Sequence, residues 1–350
     1  ALTKLQFNRR SHDKLRVVDG SFNDKAAIMT GGRNISLDYY GIDKDGVEDL
    51  DAFRDLEILI RSGSQSGDEE HTVGRVSEIY YSLLFVHKGN RRIYPYEAES
   101  EFDEGEYDDR YIKHRDRAQQ SLATLKAFPD MKERMQNMDR YMSKGFHETD
   151  VRLSHQLGNL VSTNVTTNVV ENLERNPNSI LYIITKILDD AKAQGISSGS
   201  LHIVSPYLFS GKYYDEDGEL VYDGAAETLE WLSKNPDFRI EIITNSVLTS
   251  DNFFTQAIID MGMTPRFLLT PELQKAWLSS MEKGEFNPDI VESDEWKRLI
   301  DHPQIFIYQT GRTDSNILGG DTYYGKLHAK FIYGNEGGFV GTSNFDYRSN

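Results

Sequence analysis

The C-terminal half of the chain alternates between short apolar runs and one amphipathic segment. Residues 201–207, 238–244, 305–309 and 328–333 are apolar runs of strand length, as is typical of strands in a buried sheet. Between the first two runs, residues 224–234 carry apolar positions at helical spacing. Strands that alternate with helices in this way predict an α/β fold with a largely buried sheet.

The N-terminal part predicts strands first and a helix afterwards. Residues 12–19 and 25–32 have the pattern of two strands, and residues 20–23, which include glycine, serine and asparagine, predict the turn between them. Residues 55–60 predict a third strand. Residues 74–87 repeat apolar positions at the spacing of one helix face, so we expect a helix there.

The middle of the chain has a different character. Residues 97–109 hold eight acidic residues, which predicts a solvated loop, with a cation or partner site as the alternative. Residues 111–143 predict helices, with Pro129 starting the second one. Four methionines recur there at helical spacing, either as a packing stripe or as a lipid-facing surface: Met131, Met135, Met138 and Met142.

Composition narrows the function classes. An apolar content of 38% with 11% aromatic residues supports a substantial core in a chain of 350 residues. The net charge of −17 argues against a broad nucleic-acid surface, although it allows a small basic pocket. The absence of cysteine excludes disulfides, thiolate catalysis and cysteine-ligated metals. No apolar run reaches the length of a membrane span.

One long-range repetition carries the functional argument. His12 and Lys14 form an H-x-K motif in the first predicted strand, and residues 328–330 repeat it as His-Ala-Lys. Because positions i and i+2 of a strand share a face, each motif is predicted to present an imidazole and an ammonium together. Each motif is followed by a glycine-containing element that ends in asparagine, at residues 31–34 and 341–344. One H-x-K is a weak signal, but two copies with the same sequel rarely arise by chance.

The repeated residue types suit chemistry at a phosphodiester. In-line displacement needs a nucleophile on one side of phosphorus and a proton donor to the leaving oxygen on the other. Histidine can fill both roles because its pKa lies near neutrality. Lysine and asparagine side chains can neutralise or hydrogen-bond the non-bridging oxygens. Glycine allows the backbone to approach a ligand closely.

The pair of H-x-K elements, each with a G-x-x-N sequel, resembles the signature of the phospholipase D superfamily. Further segments resemble its bacterial cardiolipin synthase-like branch: Gly31-Gly32-Arg33-Asn34-Ile35, Phe53-Arg54-Asp55, Ser205-Pro206-Tyr207 and Thr244-Asn245-Ser246. The resemblance covers about a third of the chain, at residues 8–60, 201–251 and 323–350, and none of it falls within 62–200.

The resemblance implies an α/β fold of two pseudo-symmetric lobes, each a sheet flanked by helices, with the active site between them. We expect residues 1–160 to form the N-terminal lobe, with a helical and acidic insertion at about 90–150, and residues 161–350 the C-terminal lobe. Both lobes are expected to be incomplete at the chain ends, as parts of a longer protein.

The resemblance also implies a site with no metal and no cofactor. His12 would form a phosphohistidine, and His328 would act first as acid and then as base, although the sequence alone does not distinguish the two histidines. Lys14 and Lys330 complete the catalytic set. The expected substrate-binding residues are Gly32, Asn34, Thr342 and Asn344, and the expected supporting residues are Asp19, Asp38 and Asn335.

Two features depart from the family pattern. Asn335 stands where the family usually has aspartate, which we expect to weaken support for the site rather than to abolish the chemistry. Relatives also place a carboxylate after each asparagine to orient a histidine. Asp38 is the candidate in the first half, and the second-half equivalent would lie beyond Asn350.

The resulting expectation is a phosphatidyltransferase of cardiolipin synthase type. Its substrates would be phospholipids (phosphatidylglycerol, phosphatidylethanolamine or cardiolipin) at a bacterial membrane surface with which the protein associates peripherally. A phospholipase D-type hydrolase is the first alternative, because water and an alcohol resolve the same intermediate. A phosphodiesterase acting on nucleic acid and a non-catalytic lipid-binding scaffold are the others. Nucleic acid is not an expected partner.

Overall fold

The structure is a computed structural model, and it describes part of the chain. The described residues are 13–41, 43, 45, 47, 49, 52–62, 72–87, 104–155, 182–183, 186, 189–190, 193–196, 198–206, 212–214, 219–245, 302–310, 326–335 and 337–342. Of the predicted site residues, His12 and Asn344 lie outside this set.

The first sheet is an antiparallel meander that confirms the strands predicted near the N-terminus. Its strands are β1 (Leu15–Val18), β2 (Ala27–Gly31) and β4 (Glu57–Arg61), in the order β1-β2-β4. A 3₁₀ turn (Leu37–Tyr39) and the short strand β3 (Phe53–Arg54) lie between β2 and β4. The buried Ile28 of β2 pairs with Val17 on one side and Ile60 on the other.

The helix predicted at 74–87 is α1 (Val73–Phe85), and it packs on the first sheet. Thr72 caps its N-terminus by accepting a hydrogen bond from the Arg75 amide at 3.3 Å. A Cβ atom at Gly74 would lie 2.7 Å from Ala26 Cβ, so the helix approaches the sheet through a glycine.

Three further helices follow: α2 (Glu104–Ala127), α3 (Pro129–Gln136) and α4 (Met138–Ser143). The helices predicted across 111–143 are confirmed, including Pro129 in the first turn of α3. The solvated loop predicted at 97–109 is wrong from residue 104 onward, because helix α2 begins there. Acidic residues suit the first turns of a helix, where they interact favourably with the helix dipole. Asp109 also lies four residues before Lys113, a spacing at which opposite charges on a helix surface attract each other.

The second sheet has five strands in the order β12-β11-β5-β8-β9. They are β5 (Ser198–Val204), β8 (Asp237–Asn245), β9 (Ile305–Thr310), β11 (Phe331–Tyr333) and β12 (Gly338–Val340). The strands β5, β8 and β9 run parallel, whereas β11 is antiparallel to both of its neighbours. A hairpin of β6 (Lys212–Tyr214) and β7 (Leu220–Asp223) lies between β5 and the next helix.

That helix, α5 (Gly224–Lys234), has the bounds that its amphipathic pattern predicts, and it connects the parallel strands β5 and β8. Leu229 and Leu232 of α5 pack against Phe238, Ile240 and Ile242 of β8 to form the described core cluster. The other face of this sheet is more polar and carries half-exposed aromatic side chains. The described part of the sheet is therefore less buried than its apolar runs predict.

Among the described strands, one short parallel pairing joins the two halves of the chain. Strand β10 (Lys326–Leu327) pairs with β3, so Leu327 lies opposite Arg54. All other described strands pair within 15–61 or within 198–340, on either side of the domain boundary expected near residue 160. The described residues therefore form a mixed α/β structure in which β3 and β10 join the N-terminal and C-terminal sheets.

In the described segments, none of the helices combines the length and apolar character that crossing a bilayer requires. Of the four methionines of the predicted stripe, Met135 and Met138 are half-exposed on α3 and α4. Both readings of the stripe, packing or a lipid-facing surface, stay predictions.

Candidate active site around His328

The β3–β10 pairing places two titratable residues side by side. Asp55 follows β3 directly, and His328 follows β10 directly. Because parallel strands end at the same edge, the residues after them are neighbours in space. The His328 amide donates to the Arg54 carbonyl at 2.7 Å, which fixes the backbone of the motif against the N-terminal half.

His328 is held by a carboxylate and an ammonium in a buried cluster. Its Nδ1 atom lies 2.8 Å from Asp55 Oδ2, and the two side chains are 5% and 0% exposed. Lys330 Nζ lies 2.9 Å from Nδ1 and 3.1 Å from Nε2 of the same ring, and it also donates to the His328 carbonyl. If Nδ1–H donates to Asp55, Nε2 is the ring atom that can exchange a proton with a substrate.

An asparagine from the second sheet fixes the strand that carries His328. Asn245, the fully buried last residue of β8, donates from Nδ2 to the Leu327 carbonyl at 2.6 Å and accepts from the Leu327 amide at 2.7 Å. Its amide group therefore pairs with β10 as a neighbouring strand would. Asn245 thus supports the backbone directly before His328.

Two aromatic rings pack against the imidazole. Tyr39 and Phe53 stack with their centroids 4.6 Å apart, and their rings meet His328 edge-on at 5.0 and 5.5 Å. Tyr39 is buried, and its hydroxyl accepts a hydrogen bond of 2.7 Å from Asn34 Nδ2. The predicted phosphate ligand Asn34 is thus connected to His328 through Tyr39.

The first H-x-K motif reaches this cluster through Lys14. Burial lowers the pKa of the Lys14 ammonium, while the negative charges of Asp55 and Asp13 act in the opposite direction. Asp55 therefore contacts His328 of one motif and acts electrostatically on the lysine of the other. Asp13, the residue before Lys14, accepts a hydrogen bond of 2.8 Å from the Tyr80 hydroxyl of α1.

The two motifs share a local structure that their sequences do not reveal. In each, the lysine directly precedes a strand that forms an antiparallel hairpin with the next strand, β1 with β2 and β11 with β12. Extending each register by one pair places Lys14 opposite Gly31 and Lys330 opposite Gly341, and the Gly341 amide donates to the Lys330 carbonyl at 3.1 Å. Each glycine-containing element therefore starts beside its own lysine.

The motifs themselves do not lie in regular strands as the sequence predicts. Asp13 and Lys14 precede β1, and residues 328–330 lie between β10 and β11. His328 and Lys330 nevertheless meet, because the chain bends between two differently paired strands and the ammonium folds back onto the ring. In the second motif the imidazole and the ammonium therefore lie together as expected, although strand alternation is not the cause. The same expectation for the first motif stays a prediction, because His12 lies outside the described residues.

Gly32 and Thr342 occupy corresponding places after the hairpins. A Cβ atom on Gly32 would lie 2.4 Å from Asp55 Oδ1 and 2.8 Å from the His328 carbonyl oxygen, so this glycine permits the close approach of the two halves. Thr342, half-buried, directly follows Gly341 at the end of the second hairpin.

The three predicted supporting residues lie on the surface of turns. Asp19 is exposed in the β1–β2 turn with a φ of 51°, a conformation that aspartate tolerates. Exposed Asn335 lies after β11 with its amide against Gly199. Asp38 is exposed and accepts from the Ser36 hydroxyl at 3.0 Å. The carboxylate that contacts His328 is Asp55, which sequence analysis noted only as part of a family-like segment.

The histidines outside the motifs have varied surroundings. His147 is exposed, and His155 stacks on Tyr80 at 5.4 Å. His202 contacts Glu241 at 2.9 Å on the open face of the second sheet. Across the described residues, no group of three His, Asp or Glu side chains is placed to hold a metal ion.

Comparison with known proteins identifies no relative of this chain. No family model, no curated protein and no solved structure matches the chain. The likeness to the phospholipase D superfamily therefore rests on the duplicated motifs and the segments quoted with them.

Proposed function

We propose that the protein is a phosphatidyltransferase of the phospholipase D superfamily, of cardiolipin synthase type. The observation that carries the proposal is that both motifs interact with Asp55. This carboxylate contacts the His328 ring of the second motif, and its negative charge acts to raise the pKa of Lys14 in the first. A shared site is what chemistry at one phosphodiester requires from two motifs that are far apart in sequence.

The proposed reaction has two displacements. In the first, an imidazole nitrogen of His12 forms a bond to phosphorus as the bond to the leaving alcohol breaks, and His328 gives its Nε2 proton to that oxygen. In the second, an acceptor hydroxyl attacks phosphorus, the phosphorus–nitrogen bond breaks, and His328 takes the hydroxyl proton. The role of His12 rests on the sequence motif.

The residues around His328 suit an acid that becomes a base. Asp55 favours the tautomer with a proton on Nδ1 and stabilises the doubly protonated ring. Lys330 and Lys14 supply positive charge for the non-bridging oxygens. Lys330 Nζ now lies 3.1 Å from Nε2, so a substrate phosphate would compete for this ammonium and release Nε2 for proton transfer.

Product analysis tests the proposal. Purified protein is incubated with phosphatidylglycerol and phosphatidylethanolamine, and the lipids are identified by mass spectrometry. We expect cardiolipin with the wild type and none with His12→Ala or His328→Ala. His147→Ala is the matched control because His147 is exposed.

The other outcomes assign the alternatives. Phosphatidic acid without cardiolipin would make the protein a hydrolase that uses the same intermediate. No lipid product from folded protein would overturn the proposal. DNA or RNA degradation that is lost in His12→Ala would then indicate a nuclease, although the net charge of −17 opposes that function.

A further inference from the structure

Tyr39 and Phe53 are the aromatic neighbours of the His328 ring, beside its polar partners. Asp55 and Lys330 contact the ring nitrogens, and the two aromatic side chains meet the ring edge-on at interplanar angles of 82° and 65°. The whole His328 residue is 4% exposed and Lys330 is 1% exposed. Together, the rings of Tyr39 and Phe53 form an aromatic wall beside His328.

The aromatic wall is held in place from several directions. Asn34 donates to the Tyr39 hydroxyl, and Arg33 donates from Nη1 to the Tyr39 carbonyl. Arg33 is itself fixed by a 2.9 Å ion pair with Glu57 of β4. Phe53 belongs to β3, which pairs with β10, the strand directly before His328. The rings therefore have a defined position relative to the imidazole before any substrate binds.

A wall of this composition treats water and an alcohol differently. A water molecule beside an aromatic edge finds few hydrogen-bond partners, which makes its position there unfavourable. An alcohol with a carbon backbone can pack that backbone on the rings while its hydroxyl meets the polar edge of the imidazole. The second displacement begins with whichever hydroxyl reaches His328.

We propose that Tyr39 and Phe53 are specificity-determining residues, which direct the covalent intermediate to an organic alcohol rather than to water. This inference rests on the proposed function. With an alcohol, the hydroxyl oxygen bonds to phosphorus, the phosphorus–nitrogen bond breaks, and the proton passes to His328 Nε2, which gives the new phosphodiester. With water, the same steps give phosphatidic acid. The aromatic wall sets the ratio of the two products.

The test measures that ratio and not the overall rate. Phe53→Ala removes one ring but leaves the Asn34–Tyr39 hydrogen bond, so space for water opens beside His328. At a fixed phosphatidylglycerol concentration, we expect the ratio of phosphatidic acid to cardiolipin to rise about tenfold, as expected when one apolar contact is lost. Tyr39→Phe keeps the ring, so the ratio should stay near that of the wild type even if total turnover falls.

Controls separate this effect from general damage. Phe306→Ala removes an aromatic side chain that is 38% exposed on β9, away from the cluster, and should leave the ratio unchanged. Phe53→Leu is a milder change that fills most of the space, and we expect an intermediate ratio if Phe53→Ala folds poorly. A parallel fall of both products in Phe53→Ala and Phe53→Leu would overturn the inference. A wild type that forms neither product would instead overturn the proposed function.

Discussion

The carboxylate of Asp55 lies 2.8 Å from Nδ1 of His328, although 273 positions separate the two residues in the chain. The contact lies beside the two-stranded β3–β10 sheet, the one described strand pairing between the N-terminal and C-terminal halves. Asp55 is thus the carboxylate that can orient the histidine of the second H-x-K motif. The resemblance suggested Asp38 for such a role and did not indicate which histidine it would orient.

Asp55→Asn should lower turnover by about two to four orders of magnitude, because the amide neither favours the Nδ1–H tautomer nor stabilises the protonated ring. Steady-state rates of lipid product formation measure the effect. Asp38→Asn is the matched control and should change the rate less than about twofold, since Asp38 is exposed and bonds Ser36. Equal losses in both variants would show that Asp55 has no special role.

The alkaline limit of activity should report the protonation of Lys14. Because burial lowers the pKa of this ammonium below its ordinary value of 10.5, its charge is lost at a lower pH than that of an exposed lysine. Lys14→Arg keeps the charge and should move the alkaline limb of the kcat/KM profile to higher pH. Lys25→Arg, at an exposed lysine beside Phe22, should leave the limb in place. An unmoved limb in Lys14→Arg would assign it to another group.

Gly32→Ala should damage the contact between the two halves. The new methyl group would lie 2.4 Å from Asp55 Oδ1 and 2.8 Å from the His328 carbonyl oxygen, so the chain must shift. We expect a loss of about 1–3 kcal/mol in the free energy of unfolding and a large loss of turnover. Gly337→Ala is the control, since its Cβ would meet nothing within 4 Å. Urea denaturation of both variants measures the difference, and equal stability would contradict the placement of Gly32.

Asn335→Asp should leave activity within about twofold of the wild type. The side chain is exposed after β11 and lies against Gly199, so replacing it with aspartate changes only the charge of a turn. Turnover with the same two phospholipids measures the effect. A collapse of activity in a folded variant would give Asn335 a direct role in the site.

His155 should make stability fall on the acidic side of neutrality. Burial lowers the pKa of its imidazole below the ordinary 6.5, and Arg152 acts in the same direction although the His155 backbone and Asp13 oppose it. The unfolded chain therefore binds the proton more readily, and the free energy of unfolding declines as the pH falls below about 6.5.

Thermal denaturation between pH 7.5 and 5.5 tests this expectation. His155→Phe keeps the stacking on Tyr80 but cannot titrate, so its Tm should depend less on pH than that of the wild type. His147→Phe, at an exposed histidine, should retain the wild-type dependence. The same slope in His155→Phe would assign the acid sensitivity to other groups.

Local pattern determined much of the secondary structure. Helix α5 has its predicted bounds because Leu229 and Leu232 recur at helical spacing, and β8 shows buried and less buried positions in the alternation expected of a strand. The pattern failed at residues 104–109, where acidic composition suggested a loop but the structure has a helix. A high density of charged residues indicates that a segment is exposed to solvent. It does not distinguish an exposed helix from an exposed loop.

The sequence by itself determined the residue types of the candidate site and their duplication, because a motif is a local property of the chain. Tertiary structure alone decided which residues meet: Asp55 with His328, and Asn245 with the backbone of Leu327. Apolar periodicity tells which face of a strand is buried but not which strand lies beside it. Those contacts follow from pairing between distant segments, such as β3 with β10, where a few backbone hydrogen bonds set the register.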